Sequence, residues 1–203
     1  MKLQEIRRGL LRWTARHPDA EAEPEPESPA DWPPDVGSVA YEASDAFVLV
    51  DPLVPPENEA FWTSLDERVR GHGHRVVALT TIAFHQRSRD EVVERYGAST
   101  SRARKTLPAG VETMPIRRAG EVMVWLPEHG ALIPGDRILG DGQGGLRLCP
   151  ESWLRYLPSG MKLPELRDAL RPLLELPIEM VLVSHGEPVL ADGRAGLARA
   201  LEP

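Results

Sequence analysis

The sequence is poor in cysteine, with Cys149 as the only one among its 203 residues. A single cysteine excludes a disulfide within the chain, whereas extracellular domains of this size often contain one. The sequence also lacks a run of about 20 apolar residues, the length that a membrane-spanning helix requires, and no apolar stretch of secretory length follows its basic start. These absences predict a protein of the reducing cytoplasm with no transmembrane segment.

The chain also lacks an excess of positive charge. Its 24 Lys and Arg residues are outnumbered by 31 Asp and Glu residues, and the net charge is −7. Nucleic-acid-binding proteins usually carry clustered excess Lys and Arg, so DNA and RNA are not expected partners. The short basic stretch 101–105 is better explained as a solvated loop. The glycine-rich stretch 140–145 has neither the lysine nor the strand-to-helix context of a nucleotide site. A small molecule is the partner that we expect, and the sequence leaves the oligomeric state open.

The content of hydrophobic residues, 41%, and of charged residues, 27%, is typical of a globular protein. The length suits one domain with a full core. Residues 18–34 are dominated by Pro, Glu, Ala and Asp, a composition that favours a linker because it buries little apolar surface. We therefore predict an N-terminal region, residues 1–35, followed by a folded domain over residues 36–203.

Residues 3–16 combine apolar and basic positions at helical spacing, with Ile6, Leu10 and Trp13 on one side. This spacing predicts a short amphipathic helix. Such a helix either packs on its own domain or a partner, or lies on an anionic membrane surface. Its shortness favours packing.

The rest of the chain alternates strand and helix patterns. Two apolar runs at 37–41 and 46–50 flank a polar turn and predict a hairpin. Continuous apolar runs at 76–79 and 180–183 are typical of strands that helices cover on both faces, which indicates a layered α/β architecture. Further predicted elements are helices at 58–70, 89–96 and 163–174, and strands at 121–126 and 131–133.

Four of the predicted strands end in short polar motifs that follow one another in a specific order. They are Asp-Pro at 51–52, Leu-Thr at 79–80, Pro-Gly-Asp at 134–136 and Ser-His-Gly at 184–186. In this order the motifs resemble the strand ends of the metallo-β-lactamase superfamily. The resemblance implies a four-layer αββα sandwich, preceded here by the N-terminal helix and linker. It also implies that loops after the strands carry the functional residues.

The superfamily's metal-binding motif, His-x-His-x-Asp-His, is largely missing here. Thr81 and Ala83 stand where two of its histidines are expected. His85 occupies the aspartate position, and Gln86 replaces the last histidine. A further expected histidine corresponds to Arg117. The resemblance therefore implies that most of the first metal site has been lost.

A reduced site remains, consisting of His85, Asp136 and His185, with Gln86 as a weak oxygen donor. Two imidazoles and a carboxylate suffice to hold one Zn²⁺ or another divalent ion. The resemblance implies a hydrolase that attacks a small ester, amide, lactone or phosphoester with metal-activated water. The implied catalytic residues are Asp136, His85 and Arg87, with Arg87 or Arg117 orienting the substrate.

A non-catalytic reading of the same residues is open. An aspartate after a strand often caps a loop, and a histidine between serine and glycine often satisfies a turn. The alternative to a hydrolase is thus a binding or regulatory module of the same fold that has lost metal binding. Among weaker candidates, Cys149 is expected to be a buried inert thiol. Trp153 and Tyr156 are expected to pack on the core or to cover the pocket mouth.

Overall fold

The computed structural model describes residues 3–26, 28, 30–100 and 107–203. The predicted basic loop at 101–105 lies outside these residues. The strands are β1 (Gln4–Arg7), β2 (Leu10–Arg16), β3 (Asp35–Ala43), β4 (Ala46–Val50), β5 (Arg75–Leu79), β6 (Ser99–Thr100), β7 (Glu112–Ile116), β8 (Glu121–Leu126), β9 (Ala131–Ile133), β10 (Ile138–Gly140), β11 (Leu146–Leu148) and β12 (Met180–Val181). The α-helices are α1 (Glu59–His72), α2 (Arg89–Tyr96), α3 (Glu151–Leu154), α4 (Leu163–Leu170) and α5 (Gly193–Ala200).

Two sheets form the centre of the molecule. The first has the strand order β1-β2-β3-β4-β5-β6, in which β4 and β5 run parallel. The second has the order β12-β9-β8-β7, in which β12 and β9 run parallel. Strands β10 and β11 form a separate hairpin. The predicted layered α/β architecture is confirmed, and the predicted hairpin over 37–50 corresponds to β3 and β4.

Successive residues of the central strands enter different cores because both faces of each sheet are covered. On β4, Val48 packs between the two sheets, whereas Phe47 and Leu49 face α1 and α2. On β8, Val124 packs between the sheets, and Trp125 faces the other side, where α3, α4 and α5 pack. This two-sided burial accounts for the continuous apolar runs in the sequence.

The predicted helix over residues 3–16 is wrong. These residues form strands β1 and β2, joined by a tight turn in which Gly9 has a φ of 76°. Glycine adopts this left-handed conformation without a steric penalty, which allows the chain to reverse. β2 then pairs with β3 over seven residues. The apolar residues of β2 are buried on both faces, so their spacing mimics a helix: Leu10 packs between the sheets, and Leu11 and Trp13 face α1.

The predicted linker over 18–34 contains no strand or helix among its described positions, and together with His17 it connects β2 to β3. Trp32 packs against the small apolar cluster of Ala15, Val36 and Leu53. Its ring also meets that of His185 edge-on, at 5.4 Å between centroids. Trp32 therefore lies against the folded body near the end of β12.

No helix in the described part of the chain has both the length and the apolar character needed to cross a membrane.

Candidate metal centre and active-site cavity

The predicted site residues converge where the two sheets meet. His85 follows β5 in a short 3₁₀ turn, Ala83–Gln86, and Asp51 directly follows the neighbouring strand β4. Asp136 follows β9, and His185 follows its parallel neighbour β12. Because β4 and β5 are parallel, and so are β9 and β12, their carboxyl ends bring these four side chains together.

Asp51 orients the His85 ring. Its carboxylate Oδ2 lies 2.9 Å from His85 Nδ1, and its Oδ1 accepts a hydrogen bond of 2.8 Å from the backbone N–H of Thr81. The Thr81 hydroxyl donates to Oδ2 as well. With Nδ1 engaged in this way, His85 presents Nε2 to the cavity. A carboxylate on the far nitrogen is the usual partner of a metal-binding histidine.

Asp136 Oδ1 is the point on which the site converges. It lies 2.9 Å from His85 Nε2 and 3.3 Å from His185 Nε2. Among the described residues this buried oxygen has no hydrogen bond of good geometry, despite the short distances. Zinc bonds of about 2.0–2.1 Å in a tetrahedral site place ligand atoms about 3.3 Å apart. The three ligand atoms, all within 4.8 Å of one another, therefore fit one small divalent ion.

The charges around His85 shift the pKa values in the site. Burial lowers the pKa of His85, but the negative charges of Asp136 and Asp51 outweigh it and raise this pKa to about 9. Burial raises the pKa of Asp136, yet the adjacent His85 and His185 hold it well below its usual value. Burial lowers the pKa of His185. Without a metal ion, His85 is thus a cation between two carboxylates.

Glu121 fixes the backbone of the Asp136 turn. Its buried carboxylate accepts hydrogen bonds from three successive backbone N–H groups, those of Gly135, Asp136 and Arg137, at 2.7–2.9 Å. Burial raises the pKa of Glu121, and the charge of Asp136 adds to this. Gly135 is needed in this turn because a Cβ there would lie 2.7 Å from Thr81 Oγ1.

Arg87 holds the strand ends together from within the cavity wall. Its guanidinium donates to the backbone oxygens of Gly37 and Asp51, at 2.9 and 3.0 Å, and to the Ser184 hydroxyl. These acceptors belong to the ends of β3, β4 and β12. Burial lowers the pKa of Arg87, whereas Asp51 and Asp136 raise it. The predicted role of Arg87 in orienting a substrate stays a prediction.

A cavity of about 360 Å³ opens above the cluster. Ligand-binding pockets range from roughly 300 to 1,000 Å³, so its size suits a small molecule. The three ligand candidates form its floor. The other lining residues are His17, Asp19, Trp32, Phe84, Arg87, Arg137, Trp153 and Tyr156. The sequence predicts that Trp153 and Tyr156 either pack on the core or cover the pocket. Tyr156 does the second, because it is 67% exposed at the rim.

Other residues singled out in the sequence lie elsewhere. Ala83 and Gln86 are exposed, and Gln86 accepts a hydrogen bond from Arg89 rather than facing the cluster. Arg117 is exposed in the turn between β7 and β8 and is not among the cavity-lining residues. Cys149 is buried as expected, and burial raises the pKa of its thiol to about 11.

Sequence reasoning missed the supporting carboxylates. The sequence pattern identifies Asp51 only as the end of a strand, and Glu121 only as the start of one. An acidic residue directly beside a long apolar run was the available signal, because such a residue is buried with the run and needs partners. Trp32 lies within the predicted linker over 18–34, and His17 directly precedes it.

Comparison with known proteins supports the fold. No protein-family model matches the chain, and no curated protein matches its sequence. Among solved structures, the metallo-β-lactamase FIM-1 from Pseudomonas aeruginosa, in its mono-zinc form, matches with a TM-score of 0.65 and 15% identity over 98% of this chain and 94% of that chain. A metallo-β-lactamase from Erythrobacter litoralis matches with a TM-score of 0.60 and 17% identity over 98% and 89%. DIM-1 metallo-β-lactamase matches with a TM-score of 0.63 and 13% identity over 98% and 94%. The chain therefore has the metallo-β-lactamase fold.

Proposed function

We propose that this metallo-β-lactamase-fold chain is a hydrolase-like protein that holds one divalent metal ion with His85, Asp136 and His185. The observation that carries the proposal is the buried Asp136 Oδ1, which faces two histidine nitrogens without a hydrogen bond to either among the described residues. A donor set of two imidazoles and one carboxylate suits Zn²⁺. The mono-zinc form of FIM-1 shows that a protein of this fold holds a single zinc ion.

The reaction we propose is hydrolysis of a small ester, amide, lactone or phosphoester. When bound, the metal ion supplies Lewis-acid polarisation and a nucleophilic water at neutral pH. The chain's own residues prepare the site for it. Asp51 fixes the ring of His85, and Glu121 fixes the backbone that carries Asp136. The charge of Arg87 partly offsets the two carboxylates, and Arg87 also contributes to the cavity wall near the reacting groups.

Elemental analysis of the untagged protein tests the proposal. We expect about one metal ion per chain in the wild type, and none in Asp136→Ala, which lacks the central ligand. Asp168→Ala is the matched control because Asp168 is an exposed aspartate on α4 that pairs with Arg171. Its metal content should equal that of the wild type. Metal-loaded protein is then tested on a panel of esters, amides, lactones and phosphoesters. Absence of metal in the wild type, or no hydrolysis by the loaded protein, would refute the hydrolase.

A second candidate is a non-catalytic binding or regulatory module of the same fold. The observation that favours it is that both ring nitrogens of His85 face carboxylates, Asp51 on one side and Asp136 on the other. A protonated His85 offers a positive charge to both carboxylates without metal. Identical thermal stability with and without a chelator would favour this module, because an ion that binds only the native state must raise its stability.

For either candidate we propose a cytoplasmic location, since the lone Cys149 is a buried thiol with no described partner for a disulfide.

A further inference from the structure

The cavity above His85, Asp136 and His185 is lined by an unusually large share of the chain's aromatic residues. The sequence has five tryptophans, three tyrosines and three phenylalanines. Two of the tryptophans, one tyrosine and one phenylalanine line this single cavity: Trp32, Trp153, Tyr156 and Phe84. Phe84 and Tyr156 are 72% and 67% exposed, although large apolar side chains in the rest of the described surface are mostly covered. Exposed apolar surface concentrated at one opening indicates a ligand-binding region.

These aromatic residues stand beside the proposed ligands. The Trp32 ring meets the His185 imidazole at 5.4 Å between centroids, and the Trp153 ring meets it at 5.6 Å, both nearly edge-on. Phe84 is the immediate neighbour of His85 in the 3₁₀ turn. A ligand whose reacting group reaches Asp136 must therefore place its remaining atoms against this aromatic wall.

The charged lining residues offer little to a strongly anionic ligand. Both terminal nitrogens of Arg87 already donate to protein oxygens. Arg137 is buried, donates through Nε to the Ala119 carbonyl, and its charge acts on the buried Glu121 carboxylate and the Cys149 thiol. Burial lowers the pKa of His17, which opposes its carrying a charge. Asp19 adds a negative charge at the rim. A phosphate group needs cations that are free to pair with it, and among the described residues only the buried Nε of Arg87 lacks a hydrogen-bond partner on that side chain.

We propose that the substrate is an uncharged carboxylic ester, amide or lactone with an apolar substituent that packs against Trp32, Trp153, Phe84 and Tyr156. This inference rests on the proposed hydrolase function, narrows its substrate class and excludes phosphoesters. It also assigns a specificity role to the segment 17–34, which supplies Trp32.

Binding of a homologous series of methyl ketones, from butanone to octanone, tests the proposal by titration calorimetry on the full chain. These ketones are uncharged carbonyl compounds that cannot be hydrolysed, so the measurement does not depend on turnover. We expect the Kd to fall about two- to fourfold for each added methylene, the upper value being that of full burial. A Kd that is independent of chain length in the wild type would overturn the proposal. So would tighter binding of butyl phosphate than of the ketone of equal chain length.

Variants locate the binding. Tyr156→Ala and Phe84→Ala remove exposed side chains and leave the core intact, and each should weaken octanone binding roughly three- to tenfold while leaving butanone binding unchanged. Trp32→Ala should have the same effect, and Trp32→Phe should restore most of the binding. Trp62→Ala is the control for loss of a tryptophan, because Trp62 packs on α1 against Phe61 and Tyr96, away from the cavity. Weakening by Trp62→Ala equal to that by Trp32→Ala would contradict the assigned location.

The ketone titration separates this proposal from the proposed hydrolase. If the Kd falls steeply with ketone chain length in a protein that contains no metal and hydrolyses nothing, the apolar subsite is supported and the hydrolase is refuted. A flat series in a protein that holds metal and hydrolyses phosphoesters would leave the metal site standing and refute the substrate class.

Discussion

His85 occupies a position in which each ring nitrogen meets a carboxylate, Asp51 at Nδ1 and Asp136 at Nε2. This arrangement suits both the metal-bound and the metal-free protein. In the presence of a metal ion, a neutral His85 offers Nε2 as a ligand while Asp51 holds its ring. In the absence of metal, the ring takes up a proton and neutralises part of the buried negative charge. Metal binding at this histidine therefore releases a proton.

The protonated His85 predicts a dependence of stability on pH in the metal-free protein. Burial lowers the pKa of His85, and the charges of Asp136 and Asp51 raise it, to about 9 against 6.5 for a free imidazole. A raised pKa stabilises the fold fully below pH 6.5, and this stabilisation is lost as the pH rises through about 9. The loss amounts to about 3 kcal/mol at most.

Urea unfolding of chelator-treated protein across that pH range measures the effect. In Asp51→Asn, which removes one of the two charges, the decline should be clearly smaller. His74→Gln changes an exposed histidine and should keep the wild-type decline. Stability of the wild type that does not change between neutral pH and pH 9 would show that His85 is neutral between its carboxylates.

Glu121 gives a prediction about the turn that carries Asp136. The two carboxylate oxygens of Glu121 accept hydrogen bonds from three backbone N–H groups. In Glu121→Gln, the side-chain amide has only one oxygen to accept them. At least one buried donor loses its partner, which should cost about 1–3 kcal/mol in the free energy of unfolding. Metal affinity should fall as well, because the Asp136 backbone is less firmly held. Glu165→Gln, at an exposed carboxylate on α4, is the control, and an equal loss in both variants would argue against a special role for Glu121.

For single residues, the sequence predicts the ligand candidates but not the side chains that support them. The sequence indicates His85, Asp136 and His185 because they stand at strand ends whose order resembles that of the metallo-β-lactamase superfamily. Their supports were not found. Asp51 meets His85 across 34 positions, and Arg87 meets Ser184 across 97, so these contacts depend on how two sheets pack, which local patterns do not encode.

Among the elements, the N-terminal hairpin shows where periodicity fails. An apolar face with period 3.6 and a strand buried on both faces give similar patterns over a short stretch, and only Gly9 signalled the turn. The strands at 76–79, 121–126 and 131–133 and the helices at 58–70 and 89–96 were predicted with nearly the observed bounds, because the apolar runs are continuous and both helices end near glycines. The helix predicted over 163–174 ends at Leu170 and is followed by a 3₁₀ turn. Gly73 and Gly97 follow α1 and α2 in the left-handed conformation.

The hairpin gives a prediction for β2. Leu11 is fully buried against α1 and α2, so Leu11→Ala should lower the free energy of unfolding by about 2–5 kcal/mol in a urea titration. Arg8→Ala, in the exposed turn of the hairpin, should change it by no more than about 0.5 kcal/mol. If residues 3–16 formed a detached surface helix, Leu11→Ala would instead resemble the Arg8 variant.

For the whole molecule, the fold could be predicted from strand order, whereas the course of residues 17–34 could not. Their composition predicted a linker, yet Trp32 packs on Val36 and meets His185. A single partly buried tryptophan that is held by tertiary contacts does not show in the average composition of a proline-rich stretch.

Metal binding should raise the stability of the molecule as a whole. At a free Zn²⁺ concentration 100 times the Kd, the gain is about 2.7 kcal/mol, and a chelator should reverse it. Calorimetric melting of the wild type with and without Zn²⁺ measures the shift in Tm, and Asp136→Ala should show none. An equal shift in both proteins would indicate binding outside the cluster.

The ligand candidates do not come from one sheet: His85 follows β5 of the first, and Asp136 and His185 follow strands of the second. These side chains meet only after both sheets have formed and docked, so the cluster is expected to be absent from the folding nucleus. An interaction that forms after the transition state leaves the rate of folding nearly unchanged and slows the rate of unfolding. A bound ion would thus slow the separation of the two sheets and lengthen the lifetime of the native state.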